Sequence, residues 1–284
     1  MPGFSFGPSS SIDLSKTPGG TVYECSGRGG APVVVLIHGL GLDRHMWRDH
    51  RAALQCDYRV LTYDLFGHGD SAAPPAEPSL ALWSVQLRDL LDALGIGVGA
   101  LVGFSLGGMI VRRFAIDHPG RVSALAIFNS PHARSPAAQR QAEERAARTA
   151  QDGIAATLDS TLARWFTPEF RAAHPDSIEQ TRRRLLANDL EIYAQCRCVL
   201  AAGVLELIDP QPPLTCPALV MTCENDSGST PAMARAIAAE IAGAQLRIVP
   251  GLQHLGLVEA AHQFTVPLQS FLSRHAARRR EVGA

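Results

Sequence analysis

The 284-residue sequence lacks an excess of either charge: 26 Lys and Arg stand against 27 Asp and Glu, a formal net charge of -1. That balance creates no field that would gather nucleic acid or an anionic membrane surface, so neither is expected as a partner. Long apolar runs are missing too, and none approaches the ~18 residues needed to span a bilayer. The N-terminus has no basic segment leading into an apolar one, so a cytoplasmic location is expected. Aromatic residues make up only 6% of the chain. The six cysteines, Cys25, Cys56, Cys196, Cys198, Cys216 and Cys223, show neither zinc-site spacing nor a redox C-x-x-C pair, and most of them read as buried thiols. What the sequence does have is apolar content, 46% against 19% charged, enough for one large core with an insertion.

That content is organised as alternating strands and helices. After a Gly- and Ser-rich start and a hairpin around Thr21 to Cys25, the β-branched run Val33-Val34-Val35-Leu36-Ile37 suits a central parallel strand. It stops at His38-Gly39-Leu40-Gly41, and a helix through Trp47 to Leu54 follows. The next strand, Tyr58 to Tyr63, ends at Asp64-Leu65-Phe66-Gly67-His68-Gly69-Asp70-Ser71, after which Pro74, Pro75 and Pro78 exclude regular structure. Leu80 to Leu94 has apolar residues at helical spacing. A strand before Ser105, a helix over Leu106 to His118 and a strand over Val122 to Phe128 continue the series. This alternation predicts an α/β fold with a mostly parallel, doubly wound sheet.

The alternation stops after Ser130-Pro131. From Ser135 to about Asp209 only helical periodicities appear, over Ala137 to Gln151, Gly153 to Phe166, Ile178 to Ala187 and Leu190 to Gly203. An all-helical stretch leaving the carboxyl end of a strand reads as a cap on that edge of the sheet. The organisation is therefore a core over 1–132 and 210–284 and a helical cap over 133–209. Strand order resumes at Ala218 to Cys223, followed by a helix over Pro231 to Ile241, a strand over Gln245 to Val249 and a last helix from Glu259 to His275. The Arg278-Arg279-Arg280 tail reads as solvated.

Within this pattern Gly103-Phe104-Ser105-Leu106-Gly107 is a serine on a strand-to-helix turn, flanked by glycines that leave room for a strained backbone. The five-residue spacing alone is weak, because Gly3-Phe4-Ser5-Phe6-Gly7 has it as well. No apolar strand precedes Ser5 and Pro8 follows it closely, so the context selects Ser105. A serine hydroxyl needs an imidazole to take its proton and a carboxylate to orient that imidazole. Asp226 follows the strand ending at Cys223, and His254 follows the strand ending at Val249, in the order Ser, acid, His. Taken singly, Asp226 also suits a turn before the helix at Pro231 and His254 an ordinary loop. The alternative acid position, after Phe128, holds Asn129-Ser130 and offers no carboxylate. The candidate oxyanion donors are the N–H groups of Leu106 and Leu40, with Gly39 and Gly41 allowing the Leu40 loop to turn beneath the serine; Gly39 is also a candidate substrate-binding residue. His38 and His68 read as loop-bracing residues; a zinc site of His38, His68 and Asp64 has no supporting ligand spacing.

The segments HGLG at 38–41, GHGDS at 67–71, GFSLGG at 103–108, Asp226 before Ser229-Thr230-Pro231, and GLQHLGLVE at 251–259 resemble the α/β-hydrolase superfamily over nearly the whole chain. Within it, LIHGLGLDRHMW, the cap segment ARWFTPEFR and EIYAQC are similar to the 3-oxoadipate enol-lactonase and carboxylesterase group; Phe66 stands where that group usually has arginine before GHG. The resemblance implies an α/β-hydrolase fold and lactone or ester hydrolysis through an acyl-enzyme on Ser105, with water as second substrate and no metal or organic cofactor. Related chemistries on the same residues are C–C bond hydrolysis of ring-fission products, general carboxylesterase activity and cofactor-free perhydrolysis. A function of another class is ligand binding without catalysis. A homodimer is compatible with the sequence. In the cap, Arg164 is a candidate partner for a substrate carboxylate and Trp165 for one wall of an apolar pocket; the alternative makes Trp165 cap core and Arg164 a solvated helix end.

Overall fold

The fold is seen in a computed structural model, which describes residues 13–276. Both Ser5 and the tail at Arg278–Arg280 lie outside those residues. The hairpin strands β1 (Asp13–Lys16) and β2 (Val22–Ser26) come first, then β3 (Val33–Ile37), α1 (Arg48–Leu54), β4 (Arg59–Tyr63), α2 (Leu80–Ala93), β5 (Gly99–Phe104), α3 (Leu106–Asp117) and β6 (Val122–Phe128). The helices α4 (Pro136–Trp165), α5 (Pro168–Ala173), α6 (Pro175–Leu186) and α7 (Leu190–Ala202) follow. The chain then returns through β7 (Ala218–Cys223), α8 (Pro231–Ala239), β8 (Gln245–Val249), α9 (Gly256–Glu259) and α10 (Ala261–His275).

The eight strands form one sheet in the order β1-β2-β4-β3-β5-β6-β7-β8, antiparallel at β1, β2 and β4 and parallel from β4 onward. In the middle of the sheet β5 and β6 are buried along their whole length, as strands covered on both faces must be. Fully burying each Val, Leu or Ile there is worth about 1.5–3 kcal/mol against leaving it exposed. The order reverses direction between β3 and β5, so the carboxyl ends of β3, β5, β6, β7 and β8 converge on the edge where ligands bind in open α/β sheets.

Local chemistry sets the helix boundaries. Ser79 accepts the Leu82 N–H and starts α2; Thr230 accepts the Met233 N–H and starts α8. Between β6 and β7 the described residues form helices without a strand, with α4 packed along α7. Gly153, at φ 83 and ψ 169, breaks α4 into two segments where a helix boundary is expected. Two details differ from the sequence reading. The short helix α5 was missed, although Thr167 caps it by accepting the Phe170 N–H and Pro168 takes its first position. The final helix is interrupted at Ala260 (φ -137, ψ 61), so Glu259 closes α9 and does not open α10.

Two surface thiols also correct the reading of the cysteines: Cys56 and Cys198 are exposed, while Cys196 and Cys223 are buried. No helix among the described residues is long and apolar enough to cross a membrane.

Candidate active site

Ser105 sits between β5 and α3 with φ 54 and ψ -113, a conformation that L-residues rarely adopt. The glycines around it are required by close approach. A Cβ on Gly103 would lie 2.2 Å from the Gly107 carbonyl oxygen, and one on Gly107 would lie 2.3 Å from that of Ile37. The turn is held from outside as well: the Ser105 N–H donates to Phe128 O at 2.9 Å, and Ser130 Oγ donates to Ser105 O at 3.0 Å.

The three side chains expected to act together are brought together. His254 Nε2 lies 3.2 Å from Ser105 Oγ, and its Nδ1 lies 2.7 Å from Asp226 Oδ2. The loop after β7 folds around the carboxylate, whose Oδ1 accepts the Gly228 and Ser229 N–H groups at 2.8 and 2.9 Å. Burial alone would push the Asp226 carboxyl up. The facing imidazole of His254 and hydrogen bonds from His254, Asn129 and the Ser229 N–H outweigh burial and hold it below the ordinary carboxylate value. The imidazole is packed between Phe104 and Trp165, with ring centroids 4.9 and 5.9 Å away. Glu224, the carboxylate two residues before Asp226, accepts the Gly251 N–H at 3.0 Å instead.

Asn129 is one residue that sequence reasoning missed. It occupies the position where no carboxylate was available, and its Nδ2 donates to Asp226 Oδ2 at 2.9 Å. Its φ of 46 is a second signal, since asparagine tolerates the left-handed region better than most residues.

The turn-and-cap hydrogen bonds of the described residues use neither the Leu40 nor the Leu106 N–H as donor. Leu106 opens α3, where the first amides have no intrahelical acceptor and the helix dipole favours negative charge. Gly39 does not line the cavity above Ser105. A Cβ there would meet Phe104 Cδ1 at 2.9 Å and Ser105 Cβ at 3.2 Å, so its smallness lets the Leu40 loop close over the serine turn.

Beneath that loop is a buried charge cluster. The Arg44 guanidinium reaches Glu24 Oε1 at 3.0 Å, Asp70 Oδ2 at 2.9 Å and the Asp64 carboxylate. Asp64 also accepts the Arg44 and Asp70 N–H groups at 2.8 and 2.9 Å, joining the loop after β3 to the GHGDS turn. His38 uses both ring nitrogens here: Nδ1–H donates to Gly39 O at 2.8 Å and Nε2 accepts the Leu65 N–H at 3.0 Å. His38 therefore has no free nitrogen for zinc. Among the described residues no group of three or more His, Cys, Asp or Glu is arranged to hold a metal ion.

Above Ser105 lies a cavity of about 350 Å³, lined by Leu40, Ser105, Asp226 and His254 from the sheet side and by side chains of α4 and α7. Both Arg164, half-buried, and Trp165, buried, line it. Arg145 of α4, Arg197 of α7 and Arg134, just before α4, also line it, and the sequence reading did not single them out. Trp165 is tied to the histidine loop, its carbonyl accepting the Leu255 N–H at 2.8 Å.

Comparison with known proteins matches this geometry to a family. The model of the alpha/beta hydrolase family matches residues 34–266. The chain belongs to the alpha/beta hydrolase family. Among solved members, the enol-lactonase from Burkholderia xenovorans LB400 superposes with a TM-score of 0.82 at 30% identity, covering 92% of this chain and 100% of that one. A Klebsiella pneumoniae protein provisionally named carbamate hydrolase RutD is 31% identical over 86% of this chain and 92% of its own length. The 3-oxoadipate enol-lactonase 2 of Acinetobacter baylyi is 27% identical over 89% and 92%. The family and its fold are thereby fixed, whereas these relatives' names differ in the bond they break.

Proposed function

We propose that this alpha/beta hydrolase cleaves a small carboxylated lactone or carboxylic ester through an acyl-enzyme on Ser105. The observation that carries the reading is the hydrogen-bonded line from Ser105 Oγ through the His254 imidazole to Asp226, opening on a cavity of about 350 Å³. In this mechanism His254 Nε2 takes the Ser105 proton as Oγ bonds to the acyl carbon, and Asp226 stabilises the imidazolium. The N–H groups of Leu40 and Leu106 receive the oxyanion, each such donor being worth about 10²- to 10³-fold in rate. His254 then protonates the leaving alkoxide or enolate, which in a lactone stays attached to the acyl group. Water, deprotonated by the same nitrogen, releases the acid and restores Ser105.

Residues 133–209 form the cap in this reading, and 1–132 with 210–284 the core. The support is that α4 and α7 side chains close the cavity over the serine, so substrate choice rests with the cap. Arg164 meets a substrate carboxylate and Trp165 walls the acyl portion, which fits their shared place in the lining. The enol-lactonase names of two relatives agree with a carboxylated lactone.

Two measurements test the reading. A fluorophosphonate probe should label the wild-type protein at Ser105 and leave Ser105→Ala unlabelled; absence of labelling would favour ligand binding without catalysis. Muconate-derived lactones should be hydrolysed in preference to p-nitrophenyl esters of short neutral acids, and the reverse order would remove the lactonase assignment.

A further inference from the structure

The cavity above Ser105 is unbalanced in charge. Four guanidiniums line it, from Arg134, Arg145, Arg164 and Arg197, against one carboxylate, Asp226, which is already engaged by His254. Arg134 has a structural job, donating to the Ala201 and Leu200 carbonyls at 2.9 and 3.3 Å at the end of α7. The other three do not. None of Arg145, Arg164 and Arg197 forms an ion pair among the described residues. Arg197 makes one long contact, to Tyr193 Oη at 3.4 Å, and its Nε is buried without a partner.

These three charges act on one another. Burial first, and then Arg145 and Arg197, push the Arg164 guanidinium below its ordinary value; burial and Arg197 do the same to Arg145, which is the exposed member. Asp226 and Glu144 offset this only in part for Arg164 and Arg145; like charges gathered in one cavity without an ion pair oppose folding, and such unfavourable sets occur where a ligand completes them. Their placement is built by the fold, because Arg145 and Arg164 lie on opposite sides of the Gly153 break in α4 and Arg197 comes from α7. A single carboxylate would neutralise one guanidinium and leave two facing each other.

We propose that the substrate carries two anionic groups away from the scissile bond, carboxylate or phosphate in kind, held by Arg164 and Arg197 with Arg145 on the exposed side. This deepens the hydrolase reading above and rests on its cavity. Guanidinium geometry suits bidentate binding of either oxyanion. Net charge over the whole molecule gives no hint of such a site, because the imbalance is local.

Isothermal titration of Ser105→Ala with succinate, inorganic phosphate and butyrate tests the proposal without any bond being broken. Succinate or phosphate should bind at least about tenfold more tightly than butyrate, the scale of one charged hydrogen-bonded contact, and weaken as salt is added. Whichever of the two binds more tightly assigns the kind of oxyanion, carboxylate or phosphate, that the arginines take. In the same background Arg164→Gln and Arg197→Gln should each lose about tenfold in affinity for the dianion, and Arg164→Lys should recover part of it. Thermal melts of the variants confirm that folded proteins are compared. Equal affinity for butyrate and both dianions, or Gln variants that bind as tightly as their parent, would overturn the proposal. Failure of the fluorophosphonate labelling would instead defeat the hydrolase reading and leave the anion site standing.

Discussion

The carbonyl of Trp165 accepts the backbone N–H of Leu255 at 2.8 Å, so the last residue of α4 is bonded to the residue immediately after His254. A second strap runs beside it, from the Thr167 N–H and hydroxyl to the Glu259 carboxylate. The histidine loop and the helical insertion are therefore tied at two points. Displacing either would alter the 3.2 Å approach of His254 Nε2 to Ser105 Oγ.

Cutting the side-chain strap should reveal that linkage. Glu259→Ala removes the acceptor of two Thr167 hydrogen bonds and should cost about 1–3 kcal/mol of stability. A misplaced histidine lowers the chemical step, so kcat should fall about tenfold with a smaller change in KM. Steady-state kinetics beside urea denaturation check both effects, and an unchanged kcat would mean that the backbone bond at Trp165 suffices alone.

Asn129 gives a test of how Asp226 is held. Asn129→Gly keeps a backbone free to adopt φ 46 and removes the Nδ2 donor to the carboxylate. The Asp226 carboxyl then rises from its depressed value toward the ordinary one, and its contact with His254 weakens. A kcat lowered about tenfold is expected, with less stability at pH 7 by about 1.5–3 kcal/mol. A group with a depressed folded value stabilises above its unfolded pKa and loses that contribution as pH falls through the folded value. Both proteins begin losing it where the unfolded carboxyl protonates, but the variant should lose less in total and finish losing it at a higher pH than the wild type, which urea melts at stepped acid pH would show.

The distance from sequence to site differs from residue to residue. Ser105, Asp226 and His254 were legible because each follows a strand whose apolar run is hard to misread, and parallel strands deliver such residues to one edge. Arg164 and Trp165 were singled out because they stand together at the end of a helical periodicity, and both line the cavity above Ser105. Arg145 and Arg197 were not. Their facing depends on the angle at Gly153 and on how α4 meets α7, and helical periodicity specifies neither. Asn129 was hidden for a different reason: its position was searched for a carboxylate, while the site uses an amide that supports a carboxylate placed elsewhere. The short α5 was masked by its length, with Thr167-Pro168 the only local signal.

The charge cluster under the Leu40 loop should be critical for folding. Arg44 is 4% exposed and its main counter-charge, Asp64, is fully buried. Asp64→Ala leaves the guanidinium with Glu24 and Asp70 and removes the acceptor for the Arg44 and Asp70 N–H groups. Removing one partner of a buried pair costs about 3–5 kcal/mol, so the variant should unfold at markedly lower urea concentration. Arg44→Met in the Asp64→Ala background should restore part of the loss, because it removes the uncompensated charge, and the double-mutant cycle measures how much.

Buried histidines give the last prediction, and its sign follows from their neutrality. His50, with Nε2–H donating to Leu257 O at 3.0 Å, is lowered by burial from 6.5 to about 4, and His68 is lowered by burial to about 3. In the unfolded chain both take up a proton near pH 6.5, while the folded protein excludes it until much lower pH. Between those limits the unfolded state binds more protons. Stability from these residues is fully present above about pH 6.5 and is lost as pH falls toward 4, by up to about 1.4 kcal/mol per pH unit for each histidine. His50→Gln retains a donor for Leu257 O and does not titrate, so its stability should fall less steeply over that window even if it starts lower. Urea unfolding from pH 7.5 to 4.5 measures both slopes, and parallel slopes would mean that His50 takes up its proton at the same pH folded as unfolded.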